Sequence, residues 1–157
     1  MGHQIIVNRL ESLGIEIPAA PQAVANYIPY VISGRLVYIS GQICMRDGQL
    51  VSVGRCGDDV SVEEGYQAAR CCGINVLAQL FNACESDWGR VRQCVKLGVF
   101  VNSVDTFYDQ PRVANGVSDL MGDVFAECGR HARSAVSCNS LPLNSAVEVD
   151  AIFELAE

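Results

Sequence analysis

The sequence predicts one α/β domain of the α+β type, a mixed β-sheet with two helices packed on one face. Three observations carry that expectation. Strand-like runs occur near both ends and in the middle of the chain, two long helical patterns separate them, and no linker is long or polar enough to divide the 157 residues. A chain of this length buries roughly two thirds of the surface its unfolded form exposes. Half of it is hydrophobic and 18% is charged, which excludes an intrinsically disordered protein.

The elements follow in order. "PYVISGRLVYISGQI" reads as a hairpin, with strands over 31–33 and 36–43 around a Ser33-Gly34-Arg35 turn. "RDGQLVSV" supplies an Asp-Gly turn and a further short edge strand. From Ser61 the pattern becomes helical. Ser61 and Glu64 have the spacing of a capping box, and Ala69, Cys72, Val76, Leu80 and Cys84 recur on one face. Gly65 and Gly73 each cost that helix about 1 kcal/mol relative to alanine, so burial must outweigh them or a close backbone contact must require them.

"RVRQCVKLGVFVNSV" is dense enough in β-branched and aromatic residues for a central strand. A second helix begins with Asp109 as cap and Pro111 in its first turn, runs to about Glu127, and is closed by Gly129. The last strands cover 133–139 and 146–155, joined by "NSLPLNS". The order is β-β-(β)-α-β-α-β-β. Residues 1–23 form an N-terminal extension expected to pack on or near the domain of residues 24–157.

Composition narrows the function. Eleven basic against eighteen acidic residues leave a net charge of −7, which repels nucleic acid; no nucleic-acid partner is expected. The densest cationic stretch, Arg90, Arg92 and Lys96, reads as a solvated strand lead-in. No apolar run approaches the roughly 20 residues that cross a bilayer. No secretory pattern opens the chain, so a cytoplasmic protein without a membrane partner is expected. The eight cysteines contain no Cys-x-x-Cys, and Cys71 and Cys72 point about 100° apart on a helix. They read as reduced thiols serving as small core hydrophobes, and neither metal nor cofactor is expected. His3 and His131 support no nucleophilic triad, and His131 reads as a solvated or interface residue.

The closing strand is apolar on one side and interrupted on the other only by Glu148, Asp150 and Glu154. A sheet covered on one face therefore leaves an apolar surface that a closed homo-oligomer would bury. Arg133 and Glu148 each interrupt an apolar stretch in the last two strands. The short connection makes them expected neighbours across the sheet, either as an ion pair, with Asp150 as an alternative partner for Arg133, or as two ends of a reaction site. Arginine holds a carboxylate in a planar fork, and glutamate can direct or deprotonate water.

"LVYISGQI", the helix–strand–helix middle and "ARSAV…LPLNSAVEVDAIFE" resemble the reactive-intermediate deaminase superfamily, also called YjgF-like or endoribonuclease L-PSP-like, over roughly residues 24–155. The motifs are Ser40-Gly41-Gln42, Arg133-Ser134, Leu141-Pro142 and Glu148-Val149-Asp150-Ala151. The resemblance implies a chorismate-mutase-like fold and a homotrimer whose sheets line a central barrel, with a ligand cleft at each subunit interface. It also implies cofactor-free hydrolysis of small 2-imine or 2-enamine carboxylic acids to 2-keto acids and ammonia. By the same resemblance Arg133 matches the clamp on the substrate carboxylate and Glu148 the residue that positions or activates water. Tyr27 matches a tyrosine near the cleft, Gly41 the backbone beside the ligand, and Asn115 an asparagine facing the neighbouring subunit's site.

The chain departs from that pattern in "YIPYV", where Ile28, Pro29 and Tyr30 follow the cleft tyrosine in place of small and polar residues, and in Ala135 where many deaminases carry a cysteine. "GDVFAECGRHARS" also replaces an aromatic-rich helix end and a proline before the arginine. These changes mark a divergent subgroup whose substrate side chain stays open. Two other readings compete: a non-catalytic small-carboxylate-binding or regulatory homotrimer, and a chaperone-like interaction protein that needs only the apolar sheet face.

Overall fold

The computed structural model describes residues 2–20 and 26–156. Its elements run α1 (His3–Ser12), β1 (Tyr30–Ser33), β2 (Leu36–Ile43), β3 (Met45–Arg46), β4 (Gln49–Leu50), α2 (Val62–Ala83), β5 (Val91–Asn102), α3 (Gln110–Phe125), β6 (Ala132–Cys138) and β7 (Val147–Leu155). Five strands form one mixed sheet in the order β1-β2-β7-β5-β6, parallel only between β5 and β6. The expected class, a mixed sheet under a helical layer, is the one found.

Alternation along β7 divides the two faces. Val147, Val149, Ala151, Phe153 and Leu155 are buried beneath the helices, whereas Glu148, Asp150, Ile152 and Glu154 stay partly exposed on the other side. The aromatic part of the core links Trp88 to Phe125 and Phe125 to Phe153, edge to face, each pair at 6.1 Å. Six cysteines, Cys44, Cys56, Cys71, Cys72, Cys84 and Cys94, are buried, and all eight are free thiols. Within α1, Ile6 and Leu10 are buried, and the His3 Nδ1 accepts a 3.1 Å bond from the Trp88 backbone N–H.

The capping box at Ser61 is formed: the Ser61 Oγ accepts from the Glu64 N–H at 3.2 Å and the Glu64 Oε2 from the Ser61 N–H at 2.8 Å. The glycines of α2 have a close-contact explanation. A Cβ on Gly73 would lie 2.7 Å from Leu120 Cδ2 and 2.9 Å from Val117 Cγ2, both on α3. Facing them from α3, Gly116 lets that helix approach so closely that a Cβ would overlap the Tyr66 carbonyl oxygen. Gly116→Ala is expected to destabilise the fold by about 1–3 kcal/mol of overpacking. Gly122→Ala on the same helix meets nothing within 4 Å and should leave the melting temperature unchanged or raise it. Thermal denaturation of the pair separates helix contact from helix propensity.

Two sequence expectations require correction. The Asp-Gly segment is not an edge strand of the main sheet: β3 and β4 form a separate two-stranded ribbon. Its turn has both Asp47 and Gly48 in the left-handed region, at φ 52° and 77°. Asn75 on α2 explains the departure, because its Nδ2 donates to the Ile43 and Met45 carbonyls at 3.1 and 2.9 Å and draws the chain away from the sheet.

The second correction bears on function. β6 and β7 are not neighbours, because β5 lies between them. The crossover through α3 places β6 parallel to β5 at the sheet edge, and β7 then inserts on the other side of β5, against β2. The short connection between β6 and β7 crosses the end of β5 instead of turning back as a hairpin. Asn102 holds it there, its Nδ2 donating to Asn144 Oδ1 at 3.1 Å and to the Ser145 carbonyl at 3.2 Å.

Candidate functional site

Two clusters of polar side chains gather the residues singled out above, one on each face of the sheet. The first forms on the open face around β7. Between Ile39, opposite Ala151, and Gln42, opposite Val149, β2 carries one residue more than its partner. This bulge contains Ser40 and Gly41. Ser40 ties it to the segment before β1, its N–H donating to the Pro29 carbonyl and its Oγ to the Ile28 carbonyl, both at 2.9 Å. Tyr27, exposed, adjoins that contact through the chain.

Gly41 lies directly beneath Glu148: a Cβ there would overlap the Glu148 Oε1. Asp150 lies in the same way over Gly98 of β5. Two glycines on two strands thus admit two carboxylates lying close to the sheet. Burial, and then the neighbouring Asp150 charge, push the Glu148 carboxyl above its ordinary range. Burial raises Asp150 as well, against the opposing pull of the Gly98 backbone hydrogen bond and the Lys96 charge.

The second cluster lies between β6 and α3. The Arg133 Nη1 donates to Asn115 Oδ1 and Ser118 Oγ, both at 2.9 Å, and its Nη2 reaches the Pro111 carbonyl at 3.4 Å. Both Nη1 hydrogens are therefore committed. Among the described residues, the Nε–H and the second Nη2 hydrogen carry no bond. Nε–H and Nη2 share the side of a guanidinium on which a carboxylate is taken in two parallel hydrogen bonds. His131 stands behind Ser118, with its Nε2 3.0 Å from Ser118 Oγ and its Nδ1 2.6 Å from the Gly129 carbonyl.

The structure therefore brings Gly41 and Glu148 together, with Tyr27 adjoining, and separately brings Arg133 and Asn115 together. Asn115, expected to face a neighbouring subunit, bonds Arg133 of its own chain. Arg133 and Glu148 do not meet. Arg133 pairs with Leu97 and Glu148 with Phe100, three residues along β5, so their side chains leave opposite faces of the sheet. Two strand spacings of about 4.8 Å add to that separation. No ion pair joins Arg133 to Glu148 or Asp150 in one protomer, which overturns the expectation of cross-strand neighbours.

Sequence reasoning left Asp150 and Ser118 outside the site, and it read His131 as solvated or at an interface. Signals for the first two existed. Asp150 follows Glu148 by two residues on a strand, and Ser118 follows Asn115 by three on a helix, so each shares a face with a residue already singled out. Among the described residues, no group of three or more His, Cys, Asp or Glu is placed to hold a metal ion, and no helix is long and apolar enough to cross a membrane.

A mixed sheet with helices packed on one face agrees with the family comparison. Residues 7–155 match the family described as "YjgF/chorismate mutase-like, putative endoribonuclease", and the chain belongs to that family as a divergent member. It is similar to protein TCP17 of Trypanosoma cruzi, 46% identical over 151 residues that cover 96% of this chain and 94% of that one. It is less similar to the human 2-iminobutanoate/2-iminopropanoate deaminase, 31% identical over 88% of this chain and 86% of that one. Among solved structures it resembles Atu1372 of Agrobacterium tumefaciens, a protein of unknown function. That likeness has a TM-score of 0.92 and 44% identity, and covers 98% of this chain and 94% of the other.

Proposed function

We propose that the protein hydrolyses small 2-imine or 2-enamine carboxylic acids to 2-keto acids and ammonia without a cofactor. The observation that carries this reading is the Arg133 guanidinium, held on three sides by α3 with a two-donor fork left over. Family membership and the similarity to the human imine deaminase support the chemistry.

The fork binds the substrate carboxylate. Water adds to the carbon of the protonated imine as Glu148 takes one of its protons, giving a neutral tetrahedral carbinolamine. Glu148 returns that proton to nitrogen, the C–N bond breaks, and the hydroxyl proton passes to the departing ammonia as the carbonyl forms. Water and iminium are consumed, keto acid and ammonium are produced, and the carboxylate ends as it began. A carboxyl raised by burial and by Asp150 is a better base than an ordinary glutamate, and so suits this proton transfer.

Arg133 and Glu148 leave opposite faces of the sheet, so one protomer does not present both to one small molecule. In this reading the site is completed by a second copy: Arg133 of one chain and Glu148 of the next face a shared cleft in a closed homotrimer. Exposed Val31, Tyr38 and Val136 on the open face supply apolar surface for that assembly. Sedimentation is expected to give a trimer, and a stable monomer at micromolar concentration contradicts the assembly. Gly41→Ala must displace the Glu148 carboxylate, and is expected to lower turnover far more than keto-acid binding.

A dehydratase that releases 2-iminobutanoate tests the activity. Added protein should speed 2-oxobutanoate formation above the rate in buffer. If several amino-acid precursors show no acceleration while 2-keto acids still bind, the protein is a carboxylate receptor and the enzymatic reading falls.

A further inference from the structure

We propose that Ser118 and His131 are positioning residues of the carboxylate clamp, fixing which donors of Arg133 are left for the ligand. This rests on the reading of Arg133 as the clamp and adds to it a directed chain of hydrogen bonds. A carbonyl only accepts, so the 2.6 Å contact with Gly129 requires the proton on His131 Nδ1. In the neutral ring Nε2 is then bare, and it accepts the Ser118 hydroxyl proton across 3.0 Å. With its hydrogen so committed, the Ser118 Oγ turns a lone pair to the Arg133 Nη1 at 2.9 Å. Asn115 Oδ1 takes the other Nη1 hydrogen at 2.9 Å. The chain therefore runs one way, from guanidinium to serine to imidazole to backbone.

The local sequence builds this chain from three elements. Ser118 sits one helical turn from Asn115 on α3, so both reach the same guanidinium. The 3-10 turn Ala126–Gly129 ends with the Gly129 carbonyl beneath the imidazole, and His131 comes two residues before Arg133. A guanidinium held by one partner would rotate about its last side-chain bonds. Held at both Nη1 hydrogens, it presents Nε–H and Nη2–H in a single orientation and loses less freedom when a carboxylate docks.

The readout is a split between KM and kcat, together with 2-oxobutanoate binding by calorimetry. Carboxylate binding contributes alike to bound substrate and transition state, so loosening the clamp raises KM and leaves kcat nearly unchanged. Ser118→Ala and His131→Phe are each expected to raise KM and the 2-oxobutanoate Kd by about five- to tenfold. In His131→Gln the side-chain amide reaches the Nε2 position, and Kd is expected to return to within about twofold of wild type. Unchanged Kd in Ser118→Ala and His131→Phe, with binding lost in Arg133→Ala, overturns the positioning role and leaves the clamp standing. Unchanged binding in Arg133→Ala overturns the clamp and this inference with it. Should the Ser118 or His131 variants fail to fold, nitrogen NMR of wild-type His131 decides. A protonated Nδ1, with an Nε2 resonance that shifts on adding 2-oxobutanoate, supports the chain, and the opposite tautomer or an unmoved Nε2 overturns it.

Discussion

Replacing Arg133 by alanine is expected to abolish detectable 2-oxobutanoate binding and to lower kcat/KM for 2-iminobutanoate by about a hundredfold or more. The magnitude follows from two charge-assisted hydrogen bonds at roughly 1.5–3 kcal/mol each. Arg133 is only half-buried, and its three partners sit on a helix whose core face is occupied by other residues, so the fold should survive. Lysine is not an adequate replacement. An ammonium satisfies Asn115 or Ser118 but offers no second parallel donor to the carboxylate, so Arg133→Lys is expected to stay close to the alanine variant. Steady-state kinetics with calorimetric binding checks both variants, and retained binding in the alanine variant contradicts the clamp.

Replacing Glu148 by glutamine has a different expected signature. Turnover should fall by about a hundredfold to ten-thousandfold, the range for loss of a positioned general base, while 2-oxobutanoate binding persists. Stability should move the other way. Glu148 and Asp150 are both raised by burial, so the folded protein holds these protons more tightly than the unfolded chain does. The stability they contribute is fully present below the ordinary carboxylate range and is lost as pH rises through their raised values. Glutamine removes the Glu148 share of that loss. The melting temperature of Glu148→Gln relative to wild type is therefore expected to increase as pH rises from about 4 to 7. A difference that stays flat with pH means that burial does not raise this carboxyl.

Local signals recovered most of the fold. Ser61 with Glu64 announced the start of α2, Pro111 the first turn of α3, and the alternation from Val147 to Leu155 a strand buried on one side. These features are legible because capping, propensity and periodicity act within a few residues. Strand order is not of that kind. A short link between Cys138 and Val147 looks like the loop of a hairpin, yet it passes across β5 because the helical crossover had already put β6 at the edge. That one nonlocal fact moved Arg133 and Glu148 from cross-strand neighbours to opposite faces.

The candidate site was legible to the same extent. The pairing of Gly41 with Glu148 depends on a bulge that no spacing rule reveals, although "SGQ" marked its place. His131 became informative only when the 3-10 turn brought the Gly129 carbonyl to its Nδ1.

The central claim, that one site draws Arg133 from one chain and Glu148 from another, is most directly tested by mixing two inactive variants. Arg133→Ala and Glu148→Gln subunits, co-expressed with different tags and purified as mixed assemblies, contain clefts in which one chain supplies the intact arginine and its neighbour the intact glutamate. In a closed trimer with one such cleft per interface, every mixed assembly holds one complete cleft out of three, so 2-iminobutanoate hydrolysis should recover to about a third of the wild-type rate. Mixed assemblies no more active than either parent would contradict the shared site.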